Sequence, residues 1–129
     1  MRVLALDYGA ARTGVAISDA TGTIARPLEV VERAATADGL ARLRAIVRNE
    51  EAELVVVGLP LTLRGELGAQ AQETQAFAEA LRAEISVPVE MYDERFTTTL
   101  AARVAGAAAE DARAAAHLLE SYLRRAGGA

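Results

Sequence analysis

Apolar and polar positions along the chain fall into a few distinct patterns, and each predicts one kind of element. Two unbroken apolar runs stand out, Val3-Leu4-Ala5-Leu6 and Leu54-Val55-Val56-Val57. Such runs suit strands that are covered on both faces. Gly14-Val15-Ala16-Ile17-Ser18 reads as a strand returning from the first. Residues 25–31 read as a third strand, with Pro27 in a place that a strand start or an edge accepts. Residues 87–92 complete a set of five. Helical spacing governs most of the rest. Leu40, Leu43, Ile46 and Val47 follow Thr36, a suitable N-cap, and predict a helix to about Glu51. Phe77 and Leu81, four apart, mark a helix over 69–83. A short helix is expected over 100–105 behind Thr97, then a break over 106–109. A final helix opens at Asp111 and runs to about Arg124, with Asp111, Ala115, Leu118 and Tyr122 on one face. Residues 127–129 read as a frayed tail.

The resulting order, βββαβαβαα, predicts one α/β domain over residues 1–129. Its sheet is five-stranded and mixed, with helices on both faces. Strands two and three are expected antiparallel to strand one. Strand four should lie beside strand one and parallel to it, with strand five beyond. Residues 61–68, centred on Arg64-Gly65, and residues 106–110 are expected to flank the strand ends and to be mobile.

Composition narrows the chemistry. With 129 residues the chain can bury one core. Aromatics are only 4%, so that core must be aliphatic and rich in alanine. The absence of cysteine excludes disulfides and thiolate-held zinc. Any metal must therefore be held by oxygen, with His117 the only imidazole on offer. No apolar run approaches the roughly 18–20 residues of a membrane span. The chain enters a strand directly after Met1-Arg2, so no signal peptide is expected, and the default compartment is the cytoplasm. A net charge of −4 and a pI near 5.0 argue against a protein that merely coats nucleic acid. They do not argue against an enzyme acting on one, because acidic metal ligands lower the charge themselves. All 14 basic residues are Arg, a pattern that suits phosphate but that a codon bias also favouring Ala explains better.

Acids mark the ends of the elements. Asp7 closes the first strand, Asp93-Glu94 closes the fifth, and Asp111 opens the last helix. In an open α/β sheet, sites lie beyond the carboxyl ends of the strands. The predicted topology brings Asp7 and Glu94 to one edge, and Asp111 reaches the same edge if the last helix packs there with its N-terminus upward. A carboxylate cluster without thiolate or imidazole suits Mg²⁺ or Mn²⁺, and such ions serve phosphodiester cleavage. Each acid also has an ordinary reading. Asp7 could start a turn, Asp93-Glu94 could be a solvated loop, and Asp111 could be a helix cap.

Four ordered segments together resemble the YqgF family, Holliday-junction-resolvase-like proteins and pre-16S rRNA nucleases of ribonuclease-H-like fold. They are Leu6-Asp7-Tyr8-Gly9 with Arg12, Gly14 and Ser18-Asp19; Val57-Gly58-Leu59-Pro60-Leu61 with Gly65; Asp93-Glu94-Arg95-Phe96-Thr97-Thr98; and Asp111 with Ala114-Ala115, Leu118-Leu119 and Tyr122-Leu123. The resemblance implies a metal-dependent nuclease using Mg²⁺ or Mn²⁺, with Asp7, Glu94 and Asp111 as ligands and catalytic acids. Asp93 is then a flanking support. Arg12, Arg64, Arg95, Thr97 and Thr98 become candidates for holding or orienting substrate. The implied partner is structured RNA in 5′-end maturation of pre-16S rRNA, with branched DNA or a non-catalytic nucleic-acid-binding regulator as alternatives, and a homodimer left open. Two departures stand out. Lysines common in the family's first turn and before its last helix are replaced by Ala11 and by residues 106–110, which carry no positive charge. Related resolvases carry an acid after the fourth strand where this chain has Gly58.

Overall fold

The computed structural model describes residues 1–96 and 108–127. Its elements are β1 (Val3–Asp7), β2 (Arg12–Ser18), β3 (Ala25–Glu32), α1 (Ala37–Asn49), β4 (Leu54–Leu59), α2 (Ala69–Arg82), β5 (Val89–Asp93), a single 3₁₀ turn (Glu94–Phe96) and α3 (Ala108–Gly127). The sheet order is β3-β2-β1-β4-β5. β1 lies parallel to β4 with Val3 beside Leu54 and Leu6 beside Val57, and β4 lies parallel to β5. This is the predicted five-stranded mixed sheet.

Alternation along the central strands assigns the layers. Leu4, Leu6, Val55 and Val57 face one way, toward Leu43, Ile46 and Val47 of α1 and Phe77 and Leu81 of α2. Val3, Ala5, Leu54 and Val56 face the other way, toward Ala115, Ala116, Leu118 and Leu119 of α3. Both faces of β1 and β4 are thus dry, which is why these strands read as unbroken apolar runs. Tyr92 of β5 belongs to the α3 layer, and its hydroxyl meets that of Ser121 at 2.8 Å. Thr36 caps α1 as expected, its hydroxyl accepting from Gly39 N at 3.2 Å.

Several boundaries differ from the sequence-based expectation. β3 pairs with β2 alone and antiparallel to it, so it runs in the direction of β1, not against it. Direction alternates at every turn of a meander. Pro27 does lie on an edge strand, as its missing N–H requires. β5 begins at Val89 because Pro88 has no amide to give, although its carbonyl accepts from Val55 N at 2.9 Å. Ala108 and Ala109, expected in a break, form the first turn of α3. Alanine propagates a helix better than any other residue, and the helix extends back through them. Asp111 therefore lies within the first turn of α3 and does not cap it. The predicted Thr97 cap, the 100–105 helix and residues 106 and 107 lie outside the described residues.

Candidate active site at the strand ends

Strand parity places the first acid. Asp7 follows Val3 and Ala5 on the face of β1 that α3 covers. Its neighbours on both sides are glycines. On β2, Gly14 is the residue paired with Asp7. On β4, Gly58 is one residue past the Leu6–Val57 pair and takes the parity of Leu54 and Val56, so it too faces α3.

Each glycine makes room for another acid. A Cβ on Gly14 would lie 1.9 Å from the main-chain oxygen of Asp111, so the first turn of α3 sits directly on the β2 backbone. A Cβ on Gly58 would lie 2.8 Å from Glu94 Cγ and 3.0 Å from Leu118 Cδ2. The Glu94 side chain thus lies over the position where a fourth-strand side chain would stand. Asp7 thus has the main chain of Asp111 over its β2 neighbour and the side chain of Glu94 over its β4 neighbour.

Asp111 has an unusual environment. Its Oδ2 is 2.8 Å from Arg12 Nε, with the two side chains 29% and 39% exposed. The contact is ionic but lacks hydrogen-bond geometry. Oδ2, shielded from water, has no hydrogen-bond partner among the described residues. A partly exposed ion pair of this kind is worth at most about 1 kcal/mol. Arg12 therefore balances the charge and leaves an oxygen lone pair uncommitted, as a cation site needs.

Glu94 and Asp93 separate on the same parity argument. Tyr92 faces α3, so Asp93 faces away from Asp7. The Asp93 carboxylate is instead forked by Arg95, with Nε 3.0 Å and Nη2 2.6 Å from Oδ2. Hydrogen bonds from Arg95 hold the Asp93 carboxyl below its ordinary value of 3.8. A carboxyl whose folded pKa is depressed contributes stability above the unfolded value and loses it as pH falls through the folded one. Acidification below about pH 4 should lower Tm more in the parent than in Asp93→Asn, as read by thermal melts across that range.

The other sequence candidates are dispersed. Arg64 is exposed in the 61–68 loop. Arg95 belongs to Asp93 and to that loop, donating from Nη1 to the Leu63 carbonyl at 3.3 Å. The loop, expected to be mobile, thus carries one polar contact from a guanidinium. Thr97 and Thr98 lie outside the described residues. His117, two turns along α3, pairs with Glu120 at 3.3 Å and is not at the acid edge. Tyr8, next to Asp7, stacks on Phe77 with ring centroids 4.4 Å apart, which fixes the turn after β1. Among the described residues, no three His, Asp or Glu side chains already form a set that could hold a metal ion. The all-oxygen donor chemistry and the uncommitted Asp111 oxygen fit a hard divalent cation, while closure around it is incomplete in this conformation.

Comparison with known proteins places this architecture. A protein of Moorella thermoacetica named "Putative pre-16S rRNA nuclease" is 41% identical over 136 aligned positions, covering 98% of this chain and 97% of the relative. A protein of Chloroflexus aurantiacus with the same name is 48% identical over 99 residues, covering 77% of this chain and 65% of that longer protein. Among solved structures, the Thermus thermophilus RuvC, determined in complex with a Holliday junction substrate, superposes with a TM-score of 0.62 at 21% identity. That alignment covers 99% of this chain and 97% of RuvC, and it establishes the ribonuclease-H-like fold. The model of the RuvX family, described as Holliday junction resolvase, matches residues 1–125, and the chain belongs to that family.

Proposed function

We propose that this chain is a divalent-metal-dependent nuclease that hydrolyses phosphodiester bonds in the 5′-end maturation of pre-16S rRNA. The observation that carries the proposal is the placement of Glu94 and Asp111 on either side of Asp7, each in space left by a glycine. Family membership and the names of the relatives support the chemistry and the RNA substrate.

Asp7, Glu94 and Asp111 would hold Mg²⁺ or Mn²⁺, which when bound supplies Lewis-acid charge and an acidified water. The protein's own part is positional. Asp7 is fixed by a central strand, Glu94 by the short turn after β5, and Asp111 by the first turn of α3. Like charges hold such carboxylates apart until a cation joins them. Arg12, half-exposed beside Asp111, and Arg64 supply positive charge for the sugar-phosphate backbone, with Thr97 and Thr98 as orienting hydroxyls. The family description supports branched DNA as a second substrate. No helix among the described residues is long and apolar enough to cross a membrane. We place the enzyme in the cytoplasm.

Thermal melts with added metal test the site without needing a substrate. At about a hundred times Kd, a ligand that binds only the folded state contributes about 2.7 kcal/mol, a rise in Tm of roughly 10 °C for a chain of this size. Mn²⁺ or Mg²⁺ should produce it in the parent and not in Asp7→Asn. No shift with either ion would move the assignment to a non-catalytic nucleic-acid-binding regulator.

A further inference from the structure

We infer that Arg95 is a positioning residue whose guanidinium fork ties the end of β5 to the 61–68 loop, so that the loop presents Arg64 to a substrate phosphate. The inference extends the nuclease reading and rests on it for the identity of the substrate.

The loop is built to be held. It leaves β4 shortly after Gly58 and closes on itself through Gly65 N to Thr62 O at 2.8 Å, Thr62 N to Glu66 O at 3.0 Å and Glu66 N to the Thr62 hydroxyl at 3.0 Å. Gly65 adopts φ +81°, a conformation that suits glycine. A Cβ at Gly65 would stand 3.1 Å from Arg95 Nη1, so the guanidinium lies directly on the loop backbone. Arg95 Nη1 also donates to the Leu63 carbonyl at 3.3 Å, while Nε and Nη2 are engaged by Asp93. All three nitrogens of Arg95 thus have partners inside the protein. Asp93 in turn lies on the sheet face opposite Asp7, so this fork is separate from the acids flanking Asp7. Leu63, 94% exposed, and exposed Arg64 are what the held loop offers outward.

A fork and a point charge can be told apart. Lysine keeps the charge but, with a single nitrogen, cannot reproduce the fork on Asp93 together with the contact to the Leu63 carbonyl. If Arg95 held phosphate as a point charge, Arg95→Lys would resemble the parent. If it positions the loop, Arg95→Lys fails as Arg95→Gln does.

The experiment has two arms. The chain has no cysteine, so Leu63→Cys gives a single labelling site, and fluorescence anisotropy decay reports the loop's freedom. Arg95→Gln and Arg95→Lys should both release the label, with Tm changed by only a few degrees. The second arm is binding of a labelled structured RNA in Ca²⁺ across a salt series. Arg64→Gln should lower the slope of log K against log salt by about one. Arg95→Gln should weaken binding about tenfold, the scale of one charge-assisted hydrogen bond. In the Arg64→Gln background it should have no further effect. A label as restrained in both Arg95 variants as in the parent overturns the inference. So does parent-like binding by Arg95→Lys, or full additivity of the Arg64 and Arg95 changes. Should the parent bind no RNA, the nuclease reading falls, and the anisotropy arm still decides what Arg95 does.

Discussion

Asp7→Asn should abolish cleavage and leave the fold intact. Asparagine keeps the size of the side chain and one oxygen, but it loses the negative charge that would anchor a divalent cation. The loss should reach several kcal/mol of transition-state stabilisation, a fall of about a thousandfold or more in rate. Stability in the metal-free protein should change little, because asparagine keeps the size of the side chain and Arg12 already pairs with Asp111. Nucleic-acid binding in Ca²⁺ should fall far less than cleavage, since contacts to phosphate come from arginines. Single-turnover cleavage, metal-free melts and Ca²⁺ binding on purified parent and variant check all three. Parent-like cleavage by the variant would remove Asp7 from the mechanism.

Gly14→Ala should remove both activity and a large part of the stability. The added Cβ would fall 1.9 Å from the main-chain oxygen of Asp111, and both sides of that clash are backbone. No rotamer change can relieve it, so α3 must lift from β2. Overpacking of this severity should cost at least about 3 kcal/mol, or roughly 10 °C in Tm, and should carry Asp111 away from Asp7. Gly58→Ala provides the contrast. Its Cβ would meet two side-chain ends, Glu94 Cγ at 2.8 Å, which can swing aside, and Leu118 Cδ2 at 3.0 Å, which must give by a few tenths of an ångström. Cleavage should then collapse while urea unfolding moves by about 1 kcal/mol or less. A Gly14→Ala protein with the parent's urea midpoint would contradict the docking of α3 on β2.

The sheet was readable because β1 and β4 are buried on both faces and their apolar runs admit no other element. The three acids were readable as element ends; topology sent Asp7 and Glu94 to one edge, while Asp111 depended on how the last helix packs. The choice between Asp93 and Glu94 was not readable. It depends on which way Tyr92 faces, and Tyr92 is amphipathic enough to stand on either side. The start of α3 was misplaced because Ala108 and Ala109 carry neither a cap nor a polar pattern, so the first visible signal was Asp111. Gly58 read as a missing acid, and the structure shows its physical use: it is the space that Glu94 fills. The clasp of Arg95 on the loop joins positions 32 residues apart, a separation at which no local spacing signals contact.

The most direct measurement is cleavage itself. Purified parent is incubated with a labelled RNA carrying the 5′ leader of pre-16S rRNA, and in parallel with a four-way DNA junction, in Mg²⁺, Mn²⁺ or EDTA. The account predicts cleavage of the RNA with either metal, none in EDTA, and none by Asp7→Asn under any condition. Binding of the RNA without cleavage in every metal, or cleavage that persists in EDTA, would contradict it.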